Sequence, residues 1–217
     1  MQTFEGQGIW AATLSANSFA NLIGEGESRH LEMFQNWHGR TGTIAYVSNT
    51  ASGASDSWKV SADVKIDAPA TGWTGYTNRA FVVDSAASNH AFRLVFKKST
   101  DGDNKTLVEW KAGTVTGTWH TQTTVFESFV NVSLEYDGAT GLARGMFGNE
   151  VIFEQTLATG LAGMNRIQFY SSAPVNTPDY AKYRIDNVAS VPEPMTLSLL
   201  AAGALGGVLR RRQVSRK

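Results

Sequence analysis

The chain has 217 residues, 19 basic and 19 acidic, and no cysteine, so disulfides, thiolate catalysis and cysteine zinc sites are excluded. Its neutrality hides an asymmetry: Arg210, Arg211, Arg212, Arg216 and Lys217 stand against Glu193 in the last 26 residues, leaving 14 basic and 18 acidic before them, net −4. An acidic body argues against nucleic-acid binding, which draws on a basic face, and its length suits one sizeable domain with its own core.

In chain order, the first strong pattern is Trp58 to Ile66. Trp58, Val60, Ala62, Val64 and Ile66 fall on one face, and Lys59, Ser61, Asp63 and Lys65 on the other. A period of two predicts a strand with one buried side. Ala80 to Val83 is a shorter candidate. Phe92, Leu94 and Phe96 repeat the alternation, and Thr106 to Trp110 follows after Ser99–Lys105, which reads as a hairpin loop. Val130, Val132, Leu134 and Tyr136 alternate again. Leu142 to Phe147, Val151 to Gln155, Arg166 to Tyr170 and Tyr183 to Val188 complete the series. Asp137-Gly138 and Gly148-Asn149 separate neighbouring strands, and Gly, Asn and Asp tolerate the positive φ of tight hairpins. No amphipathic helix is predicted before the tail. Many short strands with hairpin turns indicate an all-β sandwich or barrel.

The tail has three parts. Pro192-Glu193-Pro194 comes first, and its prolines are expected to separate the tail from the fold. An apolar run from Met195 to Leu209 is next. Arg210-Arg211-Arg212 closes it, and by the positive-inside rule stays cytoplasmic. This order resembles the PEP-CTERM sorting signal of Gram-negative bacteria. The resemblance implies an exported protein handed to a membrane-embedded processing enzyme, an exosortase. It also implies a cell that makes extracellular polysaccharide, and a destination in the envelope, at the surface or in the surrounding matrix. The 15-residue run makes a helix of roughly 22 Å at about 1.5 Å per residue. The hydrocarbon core is about 30 Å thick. The tail is therefore a weak permanent anchor and suits a transient one. Met1 to Glu5 begins in domain-like sequence, so the leader that export requires is expected upstream of this start.

The body resembles a second family. Val130 to Phe153 reads strand, Tyr136-Asp137-Gly138 turn, strand, Gly148-Asn149, strand. It looks like the concanavalin A-like (laminin G-like) jelly roll. Arg184-Ile185-Asp186-Asn187-Val188 resembles the last strand of such domains, which returns beside the first. Phe4-Glu5-Gly6 and Trp10 resemble the opening. The implied organisation is a two-sheet antiparallel β-sandwich over residues 1–190 and the sorting tail over 191–217. The galactose-binding-like jelly roll has similar ends and remains the alternative.

Candidate sites follow from both resemblances. Pairing of first and last strands would bring Glu5 to Asp186, and two carboxylates with backbone carbonyls suit a structural Ca²⁺. Asp101, Asp103 and Asn104 lack the spaced carboxylates of an EF-hand and read as a hairpin tip. Retaining glucanases of the concanavalin A-like fold carry Glu-x-Asp-x-x-Glu. Here Glu135 and Asp137 match, but the third position is Thr140, so no catalytic residues are assigned. His30, His38, His90 and His120 show no close metal spacing. Trp37, Trp73, Tyr76, Trp110 and Trp119 are candidates for stacking on a pyranose. Trp73 and Tyr76, in a Gly/Thr-rich loop, are the preferred ligand-binding pair, with Asn78 and Arg79 as polar neighbours. The expected function is a non-enzymatic, exported binding or structural module, with exosortase and extracellular polysaccharide as partners. A polysaccharide-active hydrolase and a protein adhesion module are the alternatives.

Overall fold

The computed structural model describes residues 10–14, 18–23, 30–35, 43–50, 57–67, 78–85, 88–98, 105–126, 128–157, 164–173 and 182–192. They form strands β1 (Trp10–Leu14), β2 (Ser18–Ile23), β3 (His30–Gln35), β4 (Thr43–Thr50), β5 (Trp58–Asp67), β6 (Asn78–Ser85) and β7 (Ser88–Lys98). The series continues with β8 (Thr106–Ala112), β9 (Val115–His120), β10 (Val130–Asp137), β11 (Leu142–Phe147), β12 (Glu150–Thr156), β13 (Met164–Ala173) and β14 (Lys182–Pro192). Two seven-stranded sheets result. The first runs β1-β4-β13-β6-β7-β8-β9 and the second β12-β11-β10-β5-β14-β3-β2, with every pairing antiparallel.

The alternation read from the sequence decides which side faces in. Trp58, Val60, Ala62, Val64 and Ile66 of β5 are all buried, as are Phe92, Leu94 and Phe96 of β7 on the facing sheet. Trp58 meets Phe92 edge-on with ring centroids 4.9 Å apart. Phe81 and Phe169 stack at 5.2 Å. Fully burying one such side chain contributes roughly 1.5–3 kcal/mol, so this interleaved layer is what lets a cysteine-free domain fold. On its outward side the first sheet buries a second, small apolar cluster of Ala80, Val82, Val95 and Tyr170.

The open flank between the two sheets is closed by four residues in a row. Gly117 of β9 lies under the Trp110 ring, Trp110 stacks on Phe153 of β12 at 4.7 Å, and Phe153 lies over Gly145 of β11. Each glycine pairs with the aromatic of its neighbouring strand. A Cβ there would come within 2.5 Å of Trp110 at position 117 and 2.3 Å of Phe153 at position 145.

Two expectations change. The strands β1 to β4 and β9 add to those read from the sequence. The last described strand, β14, lies between β5 and β3, and the expected opening segment Phe4-Glu5-Gly6 lies outside the described residues. And β14 runs to Pro192, which pairs with Trp58, so Pro192 lies inside the ladder and closes the last described strand. A proline is tolerated there because a terminal residue forfeits only the final bond. Among the described residues no helix is long and apolar enough to cross a membrane; the expected tail helix lies outside them.

Candidate functional site

Of the residues chosen from sequence, Glu5, Trp73, Tyr76, Glu193, Pro194, Arg210, Arg211 and Arg212 lie outside the described residues, as do Trp37 and the Asp101–Asn104 cluster. Asp186 is described. It stands opposite Asp63 of β5, at a bulge where Asn187 takes φ 48°. Asp186 Oδ1 accepts its neighbour Asn187's N–H at 2.8 Å. Asp63 accepts the Asn131 and Asn187 side-chain amides, each at 2.7 Å. The described part of the calcium pair is thus one carboxylate held in a turn. Arg79, named as a polar neighbour of Trp73 and Tyr76, is fully buried and pairs with Phe96 and Ser171, so it reaches no exposed ligand surface.

The Glu135–Asp137 pair lies on the outward face of the second sheet. Lys59 forms an ion pair with Glu135. Asp137 accepts the Thr140 hydroxyl at 2.6 Å and the Ala139 N–H at 2.9 Å, and these bonds hold its carboxyl below the usual carboxylate range. The same face carries Arg144–Glu154 at 2.6 Å and Arg184–Asp67 at 2.7 Å. It is a solvated face laced with ion pairs.

A different constellation appears at the flank. Of the candidate tryptophans, Trp110 packs against the core, while Trp119 is 40% exposed. Its register on β9 points it toward the gap between the sheets, where its indole N–H reaches Glu150 of β12 at 3.5 Å. Glu150 follows the Gly148-Asn149 turn, which closes because Gly148 takes φ 59°. Its carboxylate accepts the Gln122 N–H at 2.8 and 3.1 Å and lies 3.5 Å from the Thr123 hydroxyl. That ties the segment after β9 to the other sheet. The segment is pinned further: Val125 N–H donates to Thr106 Oγ1 at 3.0 Å, and Ile66 N–H to Val125 O at 2.9 Å.

Beside this strut lies a groove of about 600 Å³, with Gln122, Phe129, Asn131, Asn149 and Glu150 in its wall. Phe129 is 39% exposed and its ring meets His30 edge-on at 6.0 Å. The groove combines the exposed Phe129 ring with amide and carboxylate groups on a fixed frame, the makings of a small-molecule or glycan site, and the exposed Trp119 adjoins it through its contact with Glu150. Trp119 was among the sequence candidates, but Phe129 and Glu150 were not. The only local signal was the Gly148-Asn149 turn ahead of Glu150. Among the described residues no cluster of three or more His, Cys, Asp or Glu is placed to hold a metal.

Residues 190–213 match the PEP-CTERM protein-sorting motif. The chain therefore carries the signal of an exported, envelope-targeted protein. Among curated proteins none matches its sequence. Solved structures share its fold. A glycoside hydrolase family 16 endo-glucanase from Bacteroides ovatus is 10% identical over 87% of this chain and 97% of that one, TM-score 0.61. Lectin UEA-II, complexed with galactose, is 11% identical over 88% and 95%, TM-score 0.56. A sialidase is 18% identical over 85% of this chain, TM-score 0.60, but this chain spans only 17% of its length. At these identities the likeness shows the fold: a jelly-roll β-sandwich, an architecture that lectins and glycoside hydrolases share.

Proposed function

We propose that this protein is a non-catalytic polysaccharide-binding module, delivered through its tail to the cell surface or matrix, and that the groove holding Phe129 and Glu150, with Trp119 beside it, takes the glycan. The observation that carries this reading is an exposed ring, Phe129, in one groove with a carboxylate already fixed in place, Glu150, which also contacts the exposed Trp119. A pyranose presents an apolar face to an aromatic ring and a fringe of hydroxyls around it. Trp119 and Phe129 suit the first, and Asn149, Gln122 and the remaining lone pairs of Glu150 suit the second. Because Glu150 is held by the Gln122 main-chain N–H before any ligand arrives, little ordering cost is left for binding. In this proposal an exosortase processes the tail, and the short apolar run holds the chain in the membrane only until then. A structural calcium at Asp186 and Glu5 belongs to the same proposal. It predicts a higher unfolding temperature in millimolar calcium than in chelator, and equal temperatures remove it.

The direct test is a glycan array probed with the full chain and with Trp119→Ala and Phe129→Ala. Each substitution is expected to weaken retention about tenfold, equivalent to ~1.4 kcal/mol. Undiminished retention by both variants, or no glycan bound at all, rules the groove out. The fold likeness to an endo-glucanase supports a second reading, hydrolysis. A retaining mechanism needs two carboxyls about 5–5.5 Å apart and free to react. Glu135 and Asp137 are engaged by Lys59 and Thr140 instead. Hydrolysis of a β-glucan that is lost in Glu135→Gln would overturn the binding reading.

A further inference from the structure

Four of the five large apolar residues exposed among the described ones, Val115, Trp119, Phe129 and Val151, lie on the β9 and β12 strands or the groove beside them. At this flank β9 ends its sheet, with β8 on one side and no described strand on the other. Exposed edges in soluble proteins are usually protected by lysine, proline or a bulge. This edge has none of them. From Ala112 to Trp119 the chain carries no charge, β9 pairs with β8 without a register shift, and Thr116 and Thr118 are both exposed.

The hydrogen-bond phase of β9 is fixed. Thr121 N–H donates to Thr106 O at 3.0 Å, and Gly113-Thr114 forms the two-residue turn from β8 into β9. Hydrogen-bonded pairs alternate along an antiparallel ladder. Val115, Gly117 and Trp119 therefore turn their main-chain groups toward β8, while Thr116 and Thr118 turn theirs to the open edge. The sequence around Gly117 is close to a palindrome: Thr116 and Thr118 flank it, then Val115 and Trp119.

These observations meet in one arrangement. The geometry points to a homodimer in which β9 pairs antiparallel with β9 of a second copy, about a two-fold axis through Gly117. Thr116 then lies opposite Thr118 of the second copy, in two hydrogen-bonded pairs that use the outward N–H and C=O groups. Val115 lies opposite Trp119 of the second copy, at the closer non-hydrogen-bonded positions where an apolar and an aromatic side chain pack favourably. Gly117 faces Gly117 on the axis, where neither copy presents a side chain. No like charges meet. The contact is isologous and self-limiting, because pairing consumes the edge of both copies. It also joins the two first sheets into one and places two flank grooves on the same dimer, so that a repeating polymer would be held at two points. The dimer itself requires no glycan.

The chain's lack of cysteine makes the register directly readable. T116C and T118C are prepared separately as full chains in detergent, then mixed and oxidised. In the proposed register the two positions face each other with Cα atoms about 5.5 Å apart, within disulfide reach. Positions 116 and 116, or 118 and 118, sit on the diagonal at about 7–8 Å, which a disulfide does not span. The expected result is a disulfide dimer from the mixture and little from either variant alone. V115C mixed with W119C is an independent pair that should behave the same way. Association through the tail favours no particular pair of positions, so equal yields in mixed and single samples, or no dimer from either mixture, overturn the proposal.

Discussion

Two glycines matter for what they lack. At positions 117 and 145 the neighbouring aromatic occupies the space that a methyl group would need. Trp110 and Phe153 can stack between them only because both neighbours are bare. Gly145→Ala must push Phe153 off its stack, and over-packing of this kind costs about 1–3 kcal/mol. The shift should appear in the urea midpoint, and a neutral result would show that the stack yields freely. Asp137 makes a different prediction. Its carboxyl is held below the usual range by the Thr140 hydroxyl and then the Ala139 N–H. A depressed folded-state value means that the charged form favours the fold at neutral pH. That contribution is lost as pH falls below about 4 and through the lowered value. The stability gap between the native chain and Asp137→Asn should therefore narrow in acid, as followed by thermal unfolding against pH. A gap independent of pH would mean that the turn gains nothing from the charge.

Among the elements, β14 is held most specifically. It lies between β5 and β3 and steps over a bulge between Asp186 and Ala189. Asn187 is the one non-glycine with positive φ among the described residues, and its side chain donates to Asp63 across the ladder. A β-branched residue there carries the left-handed penalty, so Asn187→Val should lose about 1–2 kcal/mol. Asn187→Gly should lose less, since glycine enters that region freely. Equal losses in urea unfolding would assign the effect to the Asp63 hydrogen bond alone. This step is not visible in the sequence, where Arg184 to Val188 reads as an even strand. By contrast β5 is plain, because one side of Trp58–Ile66 is wholly buried and the other solvated, and the residue types follow. β9 has no such contrast: every residue but Gly117 is exposed, so a period of two has nothing to display. The groove is harder still. Phe129 and Glu150 are brought together by the pinned segment after β9 and by the Gly148 turn, and no local pattern encodes that meeting.

At the scale of the whole molecule, the sorting signal and the sandwich overlap. The motif begins at residue 190, yet Ser190, Val191 and Pro192 pair with Val60, Lys59 and Trp58. The fold therefore continues into the first residues of the signal, and the two can be separated only beyond Pro192. Removing residues 193–217 takes away the apolar run and the arginines while leaving every described ladder contact in place. That truncated chain should unfold at the same temperature as the full chain but lose its envelope localisation. Removing residues 189–217 also strips the edge of β5 opposite Trp58 to Ser61. Trp58 is a buried centre of the aromatic core, so this longer deletion should lower the unfolding temperature as well. Comparing the two by calorimetry and cell fractionation distinguishes address from scaffold. If the 193–217 deletion leaves localisation unchanged, the tail is not what directs the protein. If it destabilises the sandwich as much as the longer deletion does, the boundary at Pro192 is misplaced.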